Sequence, residues 1–303
     1  MKVLILGLGS IARKHIAALR RINPAIEVSA LRSVSPSAKE EGIKNIYSLD
    51  EARSFAPDFI IIATPTYLHY ENIETCLQLD IPLLIEKPIA HNLQIQSLVP
   101  EIRKRGIKTY IACNLRFLDS LKYVKGTFLN ERYRINEVNV YCGSYLPSWR
   151  PGQDFRKSYS AQEKNGGGVH LDLIHELDYI YWFFGKPRQV LSMKKKNSSL
   201  DISAVDYANF ILDYDSFAAS VILNYFRKDA KRILEIVTNE GTVLVDLLNN
   251  QVYLDGKSVF KSEQKIIDTY EDQLLYFLGV IKGERKSFNE IEEALEILNI
   301  CLQ

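Results

Sequence analysis

A glycine-rich turn directly after the first apolar segment constrains the fold of this chain more than any other feature. Residues 3–6 are typical of a buried strand, Gly7-Leu8-Gly9-Ser10-Ile11-Ala12 follows them, and a helical pattern covers residues 12–21. The glycines permit a tight turn with close backbone approach, and the helix directs its first N–H groups toward that turn. The order strand, turn, helix predicts a site for the diphosphate of a dinucleotide, with a tight turn that binds nothing as the alternative.

Short apolar segments alternate with helical ones through the first third of the chain. After residues 3–6, further strand-like runs span residues 28–31, 59–63, 83–85 and 109–112. Helices are expected between them over residues 68–78 and 93–105. Strands that alternate with helices pair in parallel, and helices then cover both faces of the sheet. The pattern therefore predicts a Rossmann dinucleotide-binding domain, which we expect over residues 1–116.

Beyond residue 116 the strand-like segments follow one another with turns between them. A strand is expected at residues 137–142, a helix at residues 171–184, and two more helices at the end of the sequence. The other strand-like runs span residues 190–195, 207–212, 217–224, 233–237 and 242–245. Strands in direct succession pair mostly antiparallel, so we expect a second α/β domain over residues 117–303.

Charge and composition exclude several classes of protein. The 303 residues carry 38 Lys and Arg against 37 Asp and Glu, so no excess of positive charge favours nucleic acid or an anionic membrane. Hydrophobic residues make up 47% of the chain, enough for a core, and no apolar run approaches the ~20 residues that cross a bilayer. The four cysteines are widely spaced and predict neither a metal site nor a disulfide, which favours a cytoplasmic protein.

The choice between NAD and NADP depends on the end of the second strand. An NAD-specific domain usually places a carboxylate there, about 20 residues after the glycines, for the ribose 2′-hydroxyl. This chain has Leu31-Arg32-Ser33 instead. A carboxylate would repel a 2′-phosphate, whereas Arg32 and Ser33 can bind one, so NADP is the expected cofactor and NAD the alternative.

Two strands of the predicted parallel sheet end in polar segments that contain proline. Thr64 and Pro65 follow one strand, and Glu86 and Lys87 follow the next. Ligands of open α/β sheets bind at the carboxyl ends of the strands, so we expect all four residues near the nicotinamide. Lys87 is then placed to donate a hydrogen bond to a substrate oxygen or to relay a proton.

These motifs, in this order, resemble the glucose–fructose oxidoreductase, inositol dehydrogenase and MocA family. The resemblance extends over nearly the whole chain and rests on Gly7-x-Gly9-x-x-Ala12, Ala63-Thr64-Pro65-Thr66 with His69, Glu86-Lys87-Pro88, Asn114-Leu115-Arg116-Phe117, and Gly166-Gly167-Gly168 with Asp172, His175 and Asp178. It implies a Rossmann domain, a C-terminal α/β domain with an open sheet, and hydride transfer between NAD(P) and a sugar or cyclitol. It further implies that His69 and Asn114 lie at the cofactor and that Lys87, Asp172 and His175 line the reaction site.

The spacing of Asp172 and His175 departs from the family pattern. The family separates these two residues by three positions, whereas only two residues lie between them here. His170 is therefore an alternative to His175. We expect the histidine to take a proton from a hydroxyl group, and Asp172 to orient it or to bind a substrate hydroxyl.

Helical periodicity gives an independent reason to examine this segment. On one continuous helix Asp172, His175, Glu176 and Tyr179 would share a stripe about 100° wide on an otherwise apolar surface. A solvated polar stripe is the ordinary alternative. The three preceding glycines favour a site, because they allow a ligand or another backbone segment to come close.

The loop of residues 145–159 is predicted to select the substrate. It carries three aromatic rings and two arginines that we assign to substrate binding, namely Tyr145, Trp149, Tyr159, Arg150 and Arg156. Aromatic faces suit a sugar ring, and guanidinium groups suit a carboxylate or phosphate. The loop thus favours an acidic sugar or a sugar nucleotide, with a salt-bridged structural loop as the alternative. It also resembles a subgroup of the family associated with bacterial surface sugars.

The sequence as a whole predicts a cytoplasmic NAD(P)-dependent sugar oxidoreductase. A small sugar is the expected partner, and the family implies a homodimer or homotetramer formed through the second sheet. A non-catalytic protein that senses NAD(P) or a sugar on the same fold is the rival from another class. A third possibility is elimination or epimerisation started by the same cofactor. Lys87 together with His175 favours an enzyme, because a sensor needs no proton donor.

Overall fold

The computed structural model describes residues 1–32 and 41–303. Its strands are β1 Lys2–Leu6, β2 Glu27–Leu31, β3 Ile43–Ile46, β4 Phe59–Ile62, β5 Leu83–Ile85, β6 Thr109–Ile111, β7 Ile135–Tyr145, β8 Gln189–Lys195, β9 Tyr207–Asp213, β10 Ala218–Asn224, β11 Phe226–Thr238, β12 Gly241–Asp246, β13 Gln251–Leu254 and β14 Lys257–Lys261. Its helices are α1 Ser10–Ile22, α2 Leu49–Phe55, α3 His69–Leu77, α4 Val99–Arg105, α5 Asp119–Phe128, α6 Val169–Asp172, α7 His175–Phe184, α8 Ile266–Ile281 and α9 Ile291–Leu302.

The contacts divide the chain into two units. The first contains Met1–Asn114 and Lys265–Leu298, and the second contains Leu115–Gln264 and Asn299–Gln303. Residues 265–298, which the sequence analysis placed in the second domain, thus pack with the first unit, where α8 lies against α1. The assignment of residues 1–116 to the cofactor and 117–303 to the substrate remains a prediction about function.

The first unit is built on a six-stranded sheet in the order β3-β2-β1-β4-β5-β6, and all of its pairs are parallel. Strands β1, β4 and β5 are apolar and buried along nearly their whole length, as expected for a sheet covered on both faces. The strand order reverses at β1, so the carboxyl ends of β1 and β4 form the switch point where such sheets bind ligands. The Rossmann prediction is confirmed.

Sequence patterns missed β3 and α2 and misjudged one helix. β3 is a short edge strand of which only Ile46 is buried, so it has no continuous apolar run. The helix expected over residues 93–105 is a 3₁₀ helix at Leu93–Leu98 followed by α4, whose first turn accommodates Pro100. None of the helices within the described ranges has the length and hydrophobicity needed to cross a membrane.

The second unit contains an eight-stranded sheet in the order β14-β13-β12-β11-β7-β10-β9-β8. Only β7 and β10 pair in parallel, which confirms the prediction of an α/β domain with a mostly antiparallel sheet. Along β8 and β9 buried or half-buried residues alternate with more exposed ones. The outer face keeps large apolar side chains in solvent, since Leu191, Met193 and Ile211 are 56%, 54% and 44% exposed.

A buried ion pair joins the segment after β6 to α7 in the second unit. Arg116 Nε and Nη2 lie 3.0 and 2.7 Å from the two carboxylate oxygens of Asp178, and both side chains are almost completely buried. A guanidinium group that meets a carboxylate in this bidentate way is fixed in direction as well as in position. These two residues of the family motifs therefore act in the packing of the second unit.

Replacing Asp178 by alanine is expected to lower the free energy of unfolding by about 3–5 kcal/mol, because the Arg116 guanidinium would stay buried without its carboxylate. Urea denaturation measures the change. The control is Asp50→Ala, which removes the exposed partner of Arg53 and should have a far smaller effect. Equal effects of the two substitutions would contradict the structural role assigned to the buried pair.

Candidate active site

The glycine turn after β1 lies against the carboxyl end of β4. Gly7 has φ +86°, and a Cβ atom on it would lie 2.7 Å from the carbonyl oxygen of Ala63, so the neighbouring strand excludes any side chain there. A Cβ atom on Gly9 would meet nothing within 4 Å. Packing inside the protein thus explains Gly7, whereas Gly9 leaves open space in front of α1.

The N-terminus of α1 suits an anionic group. Gly9 is the N-cap residue, no side chain of the described residues caps the helix, and no acidic residue lies in its first turn. The N–H groups of Ser10, Ile11 and Ala12 therefore belong to the unsatisfied donors at the positive end of the helix. These donors and the space at Gly9 fit the diphosphate of NAD(P).

Arg32 directly follows β2, at the carboxyl edge of the same sheet. It is half-buried, and its N–H group donates to the carbonyl oxygen of Ile46 at 2.8 Å. Ser33, its predicted companion at the 2′-phosphate, lies outside the described residues. The contact of Arg32 with a cofactor stays a prediction.

His69, at the start of α3, is buried between two strand ends. Its Nε2 lies 3.0 Å from the carbonyl oxygen of Thr64, and its Nδ1 lies 3.0 and 3.2 Å from those of Pro88 and Ile89. Burial lowers the pKa of His69, although the three carbonyl oxygens and the charge of Glu86 act in the opposite direction. The geometry makes His69 a support for both polar strand ends.

Glu86 follows β5 and directs its carboxylate into the protein. Its Oε1 lies 2.6 Å from His15 Nε2, and its Oε2 accepts a hydrogen bond from the N–H group of Lys87 at 3.2 Å. Lys87 is half-buried, and the peptide bond between Lys87 and Pro88 is cis. The carboxylate of Glu86 thus holds the backbone at the residue predicted to act in the reaction.

Thr64, Pro65 and Asn114 occupy other strand ends of the first unit. Thr64 Oγ1 accepts a hydrogen bond from Asn72 Nδ2 at 2.8 Å, and Pro65 is exposed. Asn114 is buried, and its Nδ2 donates to Thr269 Oγ1 at 2.7 Å. Their predicted contacts with the cofactor remain predictions.

In the second unit, Asp172 lies at the centre of a cluster of tyrosine hydroxyl groups. Tyr225 OH donates to Asp172 Oδ2 at 2.5 Å, and the hydroxyl group of Tyr159 lies near the same carboxyl group. Burial and the charge of Asp172 raise the pKa of Tyr225, and the charge of Asp172 together with burial raises the pKa of Tyr159. Both tyrosines keep their protons, and Asp172 accepts the hydrogen bond of Tyr225.

The three glycines before α6 admit a neighbouring backbone segment. A Cβ atom on Gly167 would overlap the carbonyl oxygen of Tyr159 and crowd that of Ser160. Close approach of another backbone, one of the two possibilities raised from the sequence, is therefore what this glycine permits. The approach brings Tyr159 to Asp172.

The helix predicted over residues 171–184 is interrupted just after Asp172. α6 ends at Asp172, Leu173 leaves the helical conformation with φ −101° and ψ 28°, and α7 begins at His175. The single stripe expected from helical periodicity is wrong, because Asp172 and His175 lie on different helices. The solvated stripe is wrong as well, since Glu176 is fully buried and its Oε1 lies 2.6 Å from Arg232 Nε.

His170, the alternative histidine, is buried in α6. Burial and the neighbouring Lys194 cation lower the pKa of His170 to about 4, so its imidazole is neutral at physiological pH. Its carbonyl oxygen accepts a hydrogen bond from Cys301 Sγ at 3.2 Å. A ring that resists protonation this strongly suits a proton acceptor poorly. His175, which is buried at the start of α7, stays the predicted catalytic histidine.

Three of the five predicted substrate residues lie at the Asp172 cluster. Trp149 is 38% exposed and packs edge-to-face on Tyr225, with the ring centroids 5.4 Å apart. The Arg150 guanidinium lies over the ring of Tyr159, 5.8 Å from its centroid. The indole of Trp149 and the guanidinium group of Arg150 thus contact the rings of the two tyrosines near Asp172.

Tyr145 and Arg156 have other neighbours. The Lys228 ammonium lies 5.7 Å from the ring centroid of Tyr145, and the Arg156 guanidinium lies 4.8 Å from that of Phe155. Among the described residues, no side-chain contact joins Tyr145 or Arg156 to the Asp172 cluster. Their role in substrate binding remains a prediction.

Two residues that support the site, His15 and Tyr225, are not among those predicted from the sequence. A histidine on the buried face of the helix that begins at the glycine turn is a signal that could have identified His15. Tyr225 lies between β10 and β11 and reads as an ordinary core aromatic, because the aspartate that it contacts is 53 residues away.

Comparison with known proteins matches both units. The model of an oxidoreductase family with an NAD-binding Rossmann fold, GFO/IDH/MocA, matches residues 1–112, and that of the GFO/IDH/MocA C-terminal domain matches residues 131–244. Glucose-6-phosphate 3-dehydrogenase of Bacillus subtilis is 26% identical over 251 residues, which are 81% of this chain and 69% of that protein. 2,7-Anhydro-N-acetylneuraminate hydratase of Mediterraneibacter gnavus is 26% identical over 159 residues, 52% of this chain and only 40% of that protein.

A solved structure shows the same fold. UDP-N-acetylglucosamine 3-dehydrogenase GnnA of Acidithiobacillus ferrooxidans aligns with a TM-score of 0.80 at 19% identity, over 100% of this chain and 95% of that one. The two family models together cover most of the sequence, and their order agrees with the two sheets. This chain therefore belongs to the GFO/IDH/MocA family of NAD(P)-dependent oxidoreductases.

Proposed function

We propose that this chain transfers a hydride between a nicotinamide cofactor and a hydroxyl-bearing carbon of a sugar. The observation that supports the proposal most is the Asp172 carboxyl group, which accepts a hydrogen bond from Tyr225, whose ring packs against the exposed indole of Trp149. A fixed acceptor beside an aromatic surface suits the hydroxyl groups of a sugar ring. The dinucleotide site of the first unit supplies the redox partner.

All of the proposed cofactor contacts are made by residues of the first unit. The turn from Gly7 to Ala12 and the N-terminus of α1 would hold the diphosphate, and Arg32 would hold a 2′-phosphate. NADP is therefore our proposed cofactor, with NAD as the alternative. The segment Thr64–Pro65 and the segment Glu86–Lys87 would lie at the nicotinamide, and the bound cofactor accepts or donates the hydride.

His175, Lys87 and Asp172 have different proposed roles toward the substrate. His175 takes the proton of the sugar hydroxyl, since imidazole exchanges protons near neutral pH. Lys87 donates a hydrogen bond to a substrate oxygen and stabilises the negative charge that develops there. Asp172 accepts a hydrogen bond from another hydroxyl of the substrate or orients His175. In the reverse direction His175 returns the proton as an acid.

A negatively charged sugar is our proposed substrate class. Among the described residues Arg150 has no carboxylate partner, and its guanidinium is held against Tyr159 at the edge of the Asp172 cluster. A guanidinium group in this position suits a carboxylate or phosphate on the substrate. The names of two relatives, which act on glucose 6-phosphate and UDP-N-acetylglucosamine, support an anionic sugar or sugar nucleotide, such as those of surface polysaccharides.

A second candidate function is elimination or hydration that begins with oxidation by the same cofactor. The similarity to 2,7-anhydro-N-acetylneuraminate hydratase favours it, although that match spans less than half of the hydratase. In such a reaction the cofactor would return to its starting redox state after each turnover. A non-catalytic sensor of NAD(P) or a sugar remains the alternative of a different class.

We further propose a cytoplasmic homo-oligomer. The outer face of the second sheet exposes Leu191, Met193 and Ile211 in adjacent strands, and a second copy of the chain would bury these apolar side chains. The four cysteine thiols are buried and form no disulfide bond, which supports a reducing compartment.

Replacing Arg32 by alanine is expected to weaken NADPH binding about tenfold or more and to leave NADH binding nearly unchanged, because only NADPH carries the 2′-phosphate. Nucleotide fluorescence measures both dissociation constants. Arg53→Ala, which removes an exposed arginine of the same unit, is the control and should change neither value. An equal loss for both nucleotides, or tighter binding of NADH by the wild type, would contradict the NADP assignment.

Turnover tests the activity directly. We expect hexuronates, hexose phosphates or UDP-hexosamines to reduce NADP⁺ or NAD⁺ with the wild type, and His175→Ala to lower kcat by about 100-fold or more while nucleotide binding persists. Arg150→Met should raise KM for the anionic sugar selectively. Tight nucleotide binding without any turnover would favour the sensor, and a product formed without net reduction of the cofactor would favour elimination.

A further inference from the structure

We propose that His15 is a positioning residue for the nicotinamide half of the dinucleotide, acting through Glu86 on the backbone of Lys87. The inference rests on the proposed use of NAD(P) and concerns residues of the first unit only. His15 belongs to neither the glycine turn nor the Glu86-Lys87-Pro88 segment, and no ligand contact is assigned to it.

The ring of His15 is fixed on two sides. It is completely buried on α1, its Nε2 lies 2.6 Å from Glu86 Oε1, and Tyr270 packs against it edge-to-face with the ring centroids 5.3 Å apart. A fully buried imidazole that meets a carboxylate 71 positions away in sequence joins two separate elements. Here those elements are α1 and the segment after β5.

The hydrogen-bond network assigns the proton of the ring. His15 Nδ1 is buried and has no hydrogen-bond partner among the described residues, so it gains nothing from carrying a proton. Nε2 faces a carboxylate, which only accepts, and therefore carries the N–H group. His15 is thus the donor that compensates the burial of Glu86 Oε1.

The second oxygen of the same carboxylate continues the connection. Glu86 Oε2 accepts the N–H group of Lys87 at 3.2 Å, so one carboxylate joins α1 to the backbone of Lys87. Without the donor at His15, Oε1 would be buried unpaired and the carboxylate would reorient toward water. The N–H group of Lys87 would then lose its acceptor, and the segment would lose its fixed position.

A second histidine supports the segment immediately after Lys87. His69 lies within 3.0 Å of the carbonyl oxygen of Pro88 and 3.2 Å of that of Ile89, and its other nitrogen meets Thr64. His15 and His69 together hold residues 86–89 by contacts to a side chain and to main-chain carbonyls. Both histidines lie inside the unit, so they leave the outward surface of the segment to a ligand.

The position of His15 on α1 makes the effect selective. It lies six residues after Gly9, about 9 Å along a helix whose first N–H groups are the proposed donors to the diphosphate. Loss of the His15 side chain therefore leaves the turn and the start of α1 in place. The diphosphate and adenosine portions should still bind, whereas the nicotinamide portion should lose its support.

Replacing His15 by glutamine or by asparagine distinguishes the hydrogen bond to Glu86 from the simple presence of a polar side chain at this position. Glutamine places its amide N–H near the position of Nε2, whereas asparagine is one methylene shorter and cannot reach Glu86. Isothermal titration calorimetry compares NADPH with 2′-phospho-ADP-ribose, and NADH with ADP-ribose, on the wild type, His15→Gln and His15→Asn. The fragments lack nicotinamide, so each ratio of dissociation constants isolates the nicotinamide half. Thermal melting verifies that each variant is folded.

We expect His15→Asn to weaken binding of the intact dinucleotide about tenfold relative to its fragment, and His15→Gln to stay near the wild-type ratio. Glu86→Gln, nearly identical in shape, should show the same selective loss and serves if His15→Asn does not fold. The assignment would be overturned if His15→Asn weakened binding of the dinucleotide and its fragment equally, or weakened neither. It would also be overturned if His15→Gln and His15→Asn changed the ratio of dissociation constants equally. A wild type that binds the fragments and dinucleotides equally would also overturn it, whereas one that binds no nucleotide refutes the proposed cofactor and the assignment with it.

Discussion

The geometry of the first unit depends on the close contact between the glycine turn and the end of β4. Because Gly7 has no side chain, the turn after β1 reaches the carbonyl of Ala63, and the two parallel strands end at the same level. β5 pairs in parallel with β4, so Glu86, which directly follows β5, lies at this edge as well. One small residue thus lets α1 begin at the switch point, where its N-terminus faces outward.

Interior hydrogen bonds then determine what this edge can do. Glu86 and His69 hold the strand ends from inside, so neither polar group needs a ligand to be satisfied. The second unit follows the same principle, because Tyr225 donates a hydrogen bond to the buried carboxylate of Asp172. In both units a buried polar residue is satisfied internally and thereby fixes a neighbour at the surface, which is the condition for a preorganised site.

Local patterns allowed most of the fold to be predicted, because the central strands are continuous apolar runs bounded by turns. β3 escaped because an edge strand with one buried residue has no such run. The packing of residues 265–298 with the first unit was not predicted, because contacts between residues far apart in sequence determine it. In the site, the spacing of Gly7 and Gly9 was enough to predict the turn proposed to bind the diphosphate. The break after Asp172 and the contacts of Tyr225 and His15 arise from partners far away in sequence, which periodicity does not register.

The most direct test of the central claim follows a hydride from cofactor to sugar. Keto derivatives of acidic sugars and sugar nucleotides would be incubated with the wild type and NADPH or NADH deuterated at C4 of the nicotinamide, and the products analysed by mass spectrometry. With the deuterium placed on one face of C4 at a time, the account predicts one deuterium in one sugar for each nicotinamide oxidised from one of the two labelled forms, and none from the other. Firm binding of the nucleotide without deuterium in any sugar would contradict it.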